Sequence, residues 1–181
     1  MSSEQPLTTS ESTEHVLSRT VGLISDTHIP TRAERLPKEI FRIFKDVDLI
    51  IHAGDLVDLS VVDELEQIAP ALAVHGNMDG PEIRERFPQT NSLDLFGWKI
   101  GVIHDPSTFL GIRNMYGIAR ENQFDVLVYG HTHNAHVKWD GSILFVNPGS
   151  PTNPIPPFLV KPSVALLRIT SEKILPEIVQ I

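Results

Sequence analysis

The chain of 181 residues has no cysteine, so disulfides and thiolate metal sites are both excluded. Any ion it binds must be held by nitrogen and oxygen. It also lacks an apolar run long enough to cross a bilayer, and its N-terminus is polar rather than basic-then-apolar, which argues against a secretory signal. Basic stretches are missing too. Lys and Arg number 15 against 23 Asp and Glu, a formal net charge of −8, and that balance disfavours a nucleic-acid footprint. An acidic protein can still take phosphate where metals supply positive charge locally. Neither an internal repeat nor a domain linker is visible, and the length suits one domain. The expected compartment is the cytoplasm, with no membrane association.

Residues 1–18 are rich in Ser, Thr and Glu without apolar periodicity, the composition of a disordered acidic tail; His15 belongs to it as a solvated residue. Residues 19–181 read as the single folded domain. Short apolar runs at 21–24, 48–51 and 71–74 predict strands, with helical spacing at 39–44 and 61–68 between them. A short helix fits 81–86, where Pro81 suits a first turn. Residues 92–96 and 99–103 flank Gly97-Trp98 and predict a hairpin. A helix is expected over 109–122, then a buried strand from Phe124 to Tyr129. Residues 135–139 and 143–146, joined by Asp140-Gly141, form a second hairpin. Residues 147–162 hold six prolines and predict a rigid irregular loop, and 164–169 and 174–178 close the chain as strands. Strand–helix alternation early and hairpins late predict a mixed α/β fold with two sheets packed together and helices outside. Sites in such folds lie beyond the carboxyl ends of strands.

Those ends carry the chemistry. Five apolar runs finish in metal-competent residues: Asp26 with His28, Asp55, Asn77, His104, and His131 with His133. Singly each has a plain explanation, such as a turn cap or a satisfied core histidine. Together they place seven donors along one rim of the sheets. Seven are too many for one tetrahedral zinc but suit two ions sharing a carboxylate. Two aspartates against two divalent ions leave about +2 for an anionic substrate. Two ions ~3.5–4 Å apart can hold a hydroxide and clamp a phosphoryl group for in-line attack. Mn²⁺, Ni²⁺, Fe²⁺, Co²⁺ and Zn²⁺ all suit such donors, because availability often decides among them.

The motifs Asp26-Thr27-His28, Gly54-Asp55, Gly76-Asn77-Met78-Asp79, His104 and Gly130-His131-Thr132-His133, with Asn147-Pro148-Gly149-Ser150 after them, resemble the calcineurin-like metallophosphoesterases. The likeness is to their compact prokaryotic phosphodiesterase branch and spans about residues 20–181. It implies a four-layer α-β-β-α sandwich, with two mixed β-sheets flanked by helices. It also implies that Asp26, His28 and His133 hold one metal, that Asn77, His104 and His131 hold the other, and that Asp55 bridges them. The implied reaction is hydrolysis of a phosphoester by attack of a metal-bridging hydroxide, with Asp55, Asn77 and His104 positioning nucleophile and phosphate, and the expected substrate is a small or activated phosphodiester. Two departures bear on it. Relatives often place a histidine after Gly-Asn to protonate the leaving group, where this chain has Met78. They often read His-Gly-His where this chain has His104-Asp105-Pro106. The general acid is therefore unassigned, with Asp79, Asp105 and solvent as candidates. The arginine that relatives often carry after Pro-Gly-Ser is also missing.

Other residues take plainer readings. His52 and His75 sit inside the strand-end motifs as supports rather than ligands. His136 is expected at the surface, Trp98 and Trp139 as packing, and Glu64 and Glu66 on a solvated helix face. The rival function is a non-catalytic scaffold of the same fold, resembling the retromer subunit, and a homo-oligomer is compatible with either. The filled ligand positions favour the enzyme.

Overall fold

Val21, Gly22, Leu23 and Ile24 are all buried, and a strand covered on both faces needs a packing layer on each side. That requirement sets the architecture. In the computed structural model, which describes residues 17–105, 112–156 and 159–181, β1 (Ser18–Ile24), β2 (Leu49–His52) and β3 (Ala71–Ala73) run parallel. β9 (Ser163–Thr170) pairs antiparallel with β1, and β10 (Ile174–Gln180) with β9. This first sheet has the order β10-β9-β1-β2-β3. The second is built from β4 (Thr90–Leu95), β5 (Trp98–Ile103), β6 (Val126–Val128), β7 (His136–Asp140) and β8 (Ile143–Asn147), in the order β4-β5-β6-β8-β7. Its three middle strands are parallel and each edge strand is an antiparallel hairpin partner.

Alternation along the strands distributes the side chains among three cores. Val21, Leu23, Ile51, Ile100, Val102, Val126, Val128, Leu144, Val146 and Leu167 pack together between the sheets. On the outer face of the first sheet, Ile24 and Ile50 meet Ile40 and Phe44, Val61 and Leu65, and Ile83. These come from α1 (Lys38–Ile43) with its following residue, α2 (Ser60–Glu66) and α3 (Pro81–Arg86). On the outer face of the second sheet, Ile103, Leu127, Tyr129 and Phe145 pack against Ala119 of α4 (Ile112–Glu121). The result is the expected four-layer α-β-β-α sandwich.

Every expected strand and helix has a counterpart among the described residues. β1 begins at Ser18, taking in the last residue read as tail, and α2 ends at Glu66 rather than Ile68. Residues 1–16, including His15, fall outside the described residues, as do 109–111 of the expected last helix and 157–158 of the proline-rich loop. No helix among the described residues is long and apolar enough to cross a membrane. Trp98 donates its indole N–H to Thr170 O at 2.8 Å, tying the two sheets together. His136 and Trp139 are exposed.

The parallel strands position the site. β1, β2 and β3 all deliver their carboxyl ends to one rim, and β5, β6 and β8 deliver theirs to the same place. Close approach there and in the core depends on missing side chains. A Cβ on Gly101 of β5 would lie 2.2 Å from the buried Phe124 ring. Gly101→Ala should therefore destabilise the fold by about 1–3 kcal/mol through overpacking, read as a lower urea midpoint with an unchanged slope.

Candidate functional site

Where β1 ends, the backbone turns left-handed at Asp26 (φ 54°) and again at His28 (φ 44°). Asp55 (φ 57°), His131 (φ 70°) and His133 (φ 56°) do the same after β2 and β6. L-residues avoid this region at a cost of roughly 1–2 kcal/mol each, so five such residues at one rim are strain held in place by their surroundings. The holding contacts are visible. The β1–β2 ladder continues past the strands, with Asp26 N donating to Gly54 O (3.0 Å) and His28 N to Asp55 O (3.0 Å). Gly130 N donates to His104 O at 3.0 Å, linking the ends of β5 and β6.

All seven expected donors meet at this rim. One group comprises Asp26, His28 and His133, whose ligand atoms lie within 4.8 Å of one another. His133 Nε2 is 3.3 Å from Asp26 Oδ1 and 3.2 Å from His28 Nε2. Asp55 Oδ2 stands between this group and the next, 3.6 Å from His28 Nε2 and 3.3 Å from His104 Nε2. On the far side, Asn77 Oδ1 is 3.0 Å from both His104 Nε2 and His131 Nδ1. Asp26 also reaches toward His104, at 4.0 Å, and these two with Asp55 form a second cluster whose ligand atoms lie within 4.8 Å of one another. The first group is buried, whereas Asn77 and His131 are exposed. Asn77 and His104 line a cleft of ≈ 330 Å³ together with His75, Arg84, Asp105 and Ile118.

The donor set fits divalent cations. Asp26 and Asp55 are 0% and 1% exposed, and buried carboxylates require compensating positive charge. Among the described residues, the ion-pair partners of these two are histidines, with no Lys or Arg. Burial alone would push His104 and His133 down. Hydrogen bonding and the fields of Asp55 and Asp26 outweigh it and hold both above the ordinary histidine value. Burial lowers His28, with the neighbouring His133 adding to the effect against the pull of Asp55. Burial would raise Asp55, but His104 and the Met78 N–H win and lower it. The protein groups of the cluster are by themselves short of positive charge, and a divalent cation is the complement that relieves the shortage.

Ring orientation is fixed from outside. His104 Nδ1–H donates to Ala53 O at 2.8 Å and His133 Nδ1–H to Asn153 O at 2.5 Å, leaving each Nε2 lone pair aimed inward. Three glycines make room. A Cβ on Gly76 would sit 2.1 Å from Asp55 Oδ1, one on Gly54 2.7 Å from His104 Cβ, and one on Gly130 2.0 Å from Ser25 Oγ. His52 is the expected support: Gly54 N–H donates to its Nδ1 (3.2 Å), so its Nε2–H donates to Thr27 Oγ1 (3.1 Å).

Two groups of residues escaped the sequence reading. From the proline-rich loop, Ser150 Oγ donates to Asp26 O (2.7 Å) and Thr152 Oγ1 to Thr27 O (2.7 Å). Asn147 Nδ2 donates to Gly130 O at 2.9 Å. The loop is thus a buttress under the first ligand group, a role its composition could not reveal; the Asn-Pro-Gly-Ser turn was the available pointer. The other is Arg84, which meets the Asn77 loop from α3. The expectation for Asp79 needs correcting. Its carboxylate accepts from Asp55 N (3.0 Å), Gly76 N (2.6 Å) and Val57 N (2.7 Å), and it is buried. An acceptor so engaged holds two loops together and is poorly suited to deliver a proton. Asp105 keeps its place by the cleft, its Oδ2 3.8 Å from His131 Nε2.

Paired sheets whose parallel strands bring buried aspartates and several imidazoles to one rim define the metallophosphoesterase class. Residues 20–172 match the family described as the calcineurin-like phosphoesterase superfamily domain, and the chain belongs to that superfamily. It is 40% identical over 161 residues to a probable metallophosphoesterase of Methanothermobacter thermautotrophicus, covering 88% of this chain and 91% of that one. It is 31% identical to a phosphodiesterase of Methanocaldococcus jannaschii, over 71% of this chain and 82% of the relative. In three dimensions it resembles Vacuolar Protein Sorting 29 of Cryptosporidium parvum, with a TM-score of 0.81 and 24% identity over 91% and 92% of the two chains. That last likeness concerns the fold alone.

A consequence of the site's burial is testable without substrate. Burial lowers His52 to about 4 from 6.5, so the folded state keeps it neutral where the unfolded chain protonates it. This contribution is whole above pH 6.5 and is lost as pH falls through the window down to about 4. Denaturation of metal-free protein should show stability declining across that window, and His52→Asn should reduce the slope there.

Proposed function

We propose that this protein is a dinuclear, divalent-metal-dependent phosphodiesterase acting on a small or activated diester. The observation that carries the reading is the completeness of the donor set, with competent atoms at all seven positions and Asp55 Oδ2 between two imidazole groups. In this reading Asp26, His28 and His133 hold one ion, Asn77, His104 and His131 hold the other, and Asp55 is shared. Mn²⁺ is the ion expected, with Ni²⁺, Fe²⁺, Co²⁺ and Zn²⁺ able to occupy the same nitrogen and oxygen donors. When bound, such a pair supplies Lewis acidity toward a phosphoryl oxygen and a nucleophile at neutral pH.

The chain's own residues divide the remaining work. Asp55 is held by the Met78 N–H on Oδ1 at 2.7 Å, which leaves Oδ2 for the shared position. His104 and Asn77 line the cleft, and in this reading the phosphoester is taken there. Of the candidate acids we assign assistance of departure to Asp105, which lines the cleft with its Oδ2 3.8 Å from His131 Nε2. Without a histidine at position 78, the enzyme depends on leaving groups that depart with little help.

Met78 also favours a second reading. It is 58% exposed beside the ligands, an apolar side chain where relatives often carry the proton donor. A non-catalytic scaffold of the same fold, binding a protein partner, would need no acid there. Metal and substrate screening separates the two.

With Mn²⁺, the purified protein should hydrolyse an aryl phosphodiester, and Asp55→Ala should reduce turnover to background. Two ions bound but no turnover with any of the five metals would favour the scaffold. Met78→His should raise rates on diesters with poor leaving groups by about 10²-fold or more and change those with good leaving groups little. Equal native rates on good and poor leaving groups would count against a missing acid.

A further inference from the structure

The loop that carries Asn77 has its backbone carbonyls gathered by one side chain. Arg84 Nε donates to Asp79 O at 2.7 Å, and its terminal nitrogen Nη2 donates to Gly76 O at 2.9 Å and Asn77 O at 3.1 Å. On the loop's other side, the Asp79 carboxylate takes N–H groups from Gly76 and from Asp55 and Val57 of the neighbouring loop. The Met78 N–H holds Asp55 Oδ1 at 2.7 Å. Residues 76–79 are therefore pinned from both sides, outward by a guanidinium and inward by a carboxylate.

The distribution of strain shows why pinning is needed. Val57 has φ 75°, an outlier for a β-branched residue, and its N–H ends on Asp79 Oδ1. Asp55, two residues earlier, is also left-handed. The Asp79 carboxylate compensates both, and it can do so only while its own loop stays in place. Arg84, one turn into α3, ties three of that loop's carbonyls to the helix. Arginine suits the task because its planar fork reaches three acceptors at once, which an ammonium on a flexible stem does not reproduce.

We propose that Arg84 is a positioning residue for the second ion: through Gly76, Asn77 and Asp79 it sets where Asn77 Oδ1 stands relative to His104 and His131. The inference rests on the two-ion reading of the site. These three hydrogen bonds of Arg84 end on backbone carbonyls rather than on donor side chains, so its influence is indirect. The first ion's group, Asp26, His28 and His133, is held by the β1–β2 ladder and the Ser150–Asn153 buttress instead. Loss of Arg84 should thus weaken the second ion far more than the first, which feels it only through the shared Asp55.

Calorimetric titration of metal-free full-length protein with Mn²⁺ tests this, read with thermal unfolding of the same samples. The wild type should bind two ions. Arg84→Gln should weaken one of them by about 10- to 100-fold, the usual effect of removing an outer support, and leave the other within a few-fold. Arg84→Lys should recover only part of the loss. Equal weakening of both ions in step with a lower unfolding temperature would make Arg84 a merely structural residue and overturn the proposal. So would two ions bound by Arg84→Gln as tightly as by wild type. A wild type that binds no divalent ion would instead overturn the two-ion reading itself, and the proposal with it.

Discussion

Asp55 is the residue on which the geometry turns. One carboxylate oxygen is fixed by the Met78 N–H, and the other faces imidazoles from two different strands in two different sheets. Buried at 1% exposure, it has no favourable state unless positive charge gathers around it. Asp26 imposes the same demand beside it, at 0% exposure. Two carboxylates out of water, paired with histidines among the described residues, make a cation the natural complement. The raised values of His104 and His133, despite burial, express the same deficit.

The sandwich exists to bring those groups together. β1 and β2 lead into Asp26 and Asp55, while β5 and β6 in the opposite sheet lead into His104 and His131, so the site forms where both sheets share a rim. The apolar layer between the sheets supplies the stability that the rim consumes. Five left-handed ligand residues and the left-handed Val57 are supported by hydrogen bonds from the proline-rich loop, from Asp79 and from the continued ladder. Glycines at 54, 76 and 130 remove the side chains that would otherwise fill the space. Rigid strands deliver the donors, and strained turns aim them.

Much of this was legible in the sequence, for identifiable reasons. Short apolar runs ending in Asp, Asn or His are local patterns, and strand periodicity is local too. Five of them could therefore be read as one rim before any contact was known. What could not be read depends mostly on contacts distant in sequence. Ser150 and Thr152 hold the peptides of Asp26 and Thr27 from more than a hundred residues away, and nothing in a proline-rich stretch announces that. Asp79 is one of three candidate acids by its place in a ligand motif, yet three backbone N–H groups claim its carboxylate. Arg84 sits in a short helix whose pattern reads as an ordinary polar face. Its guanidinium reaches back to carbonyls only five to eight residues away, a local contact that a polar helix pattern does not announce.

The central claim is that two ions occupy this rim with Asp55 between them. Anomalous X-ray diffraction from crystals of the Mn²⁺-loaded protein addresses it directly. Two peaks are expected about 3.5–4 Å apart, one against Asp26, His28 and His133, the other against Asn77, His104 and His131, with Asp55 Oδ2 contacting both. A single peak at the buried group, with Asn77 and His131 turned away from any ion, would contradict it.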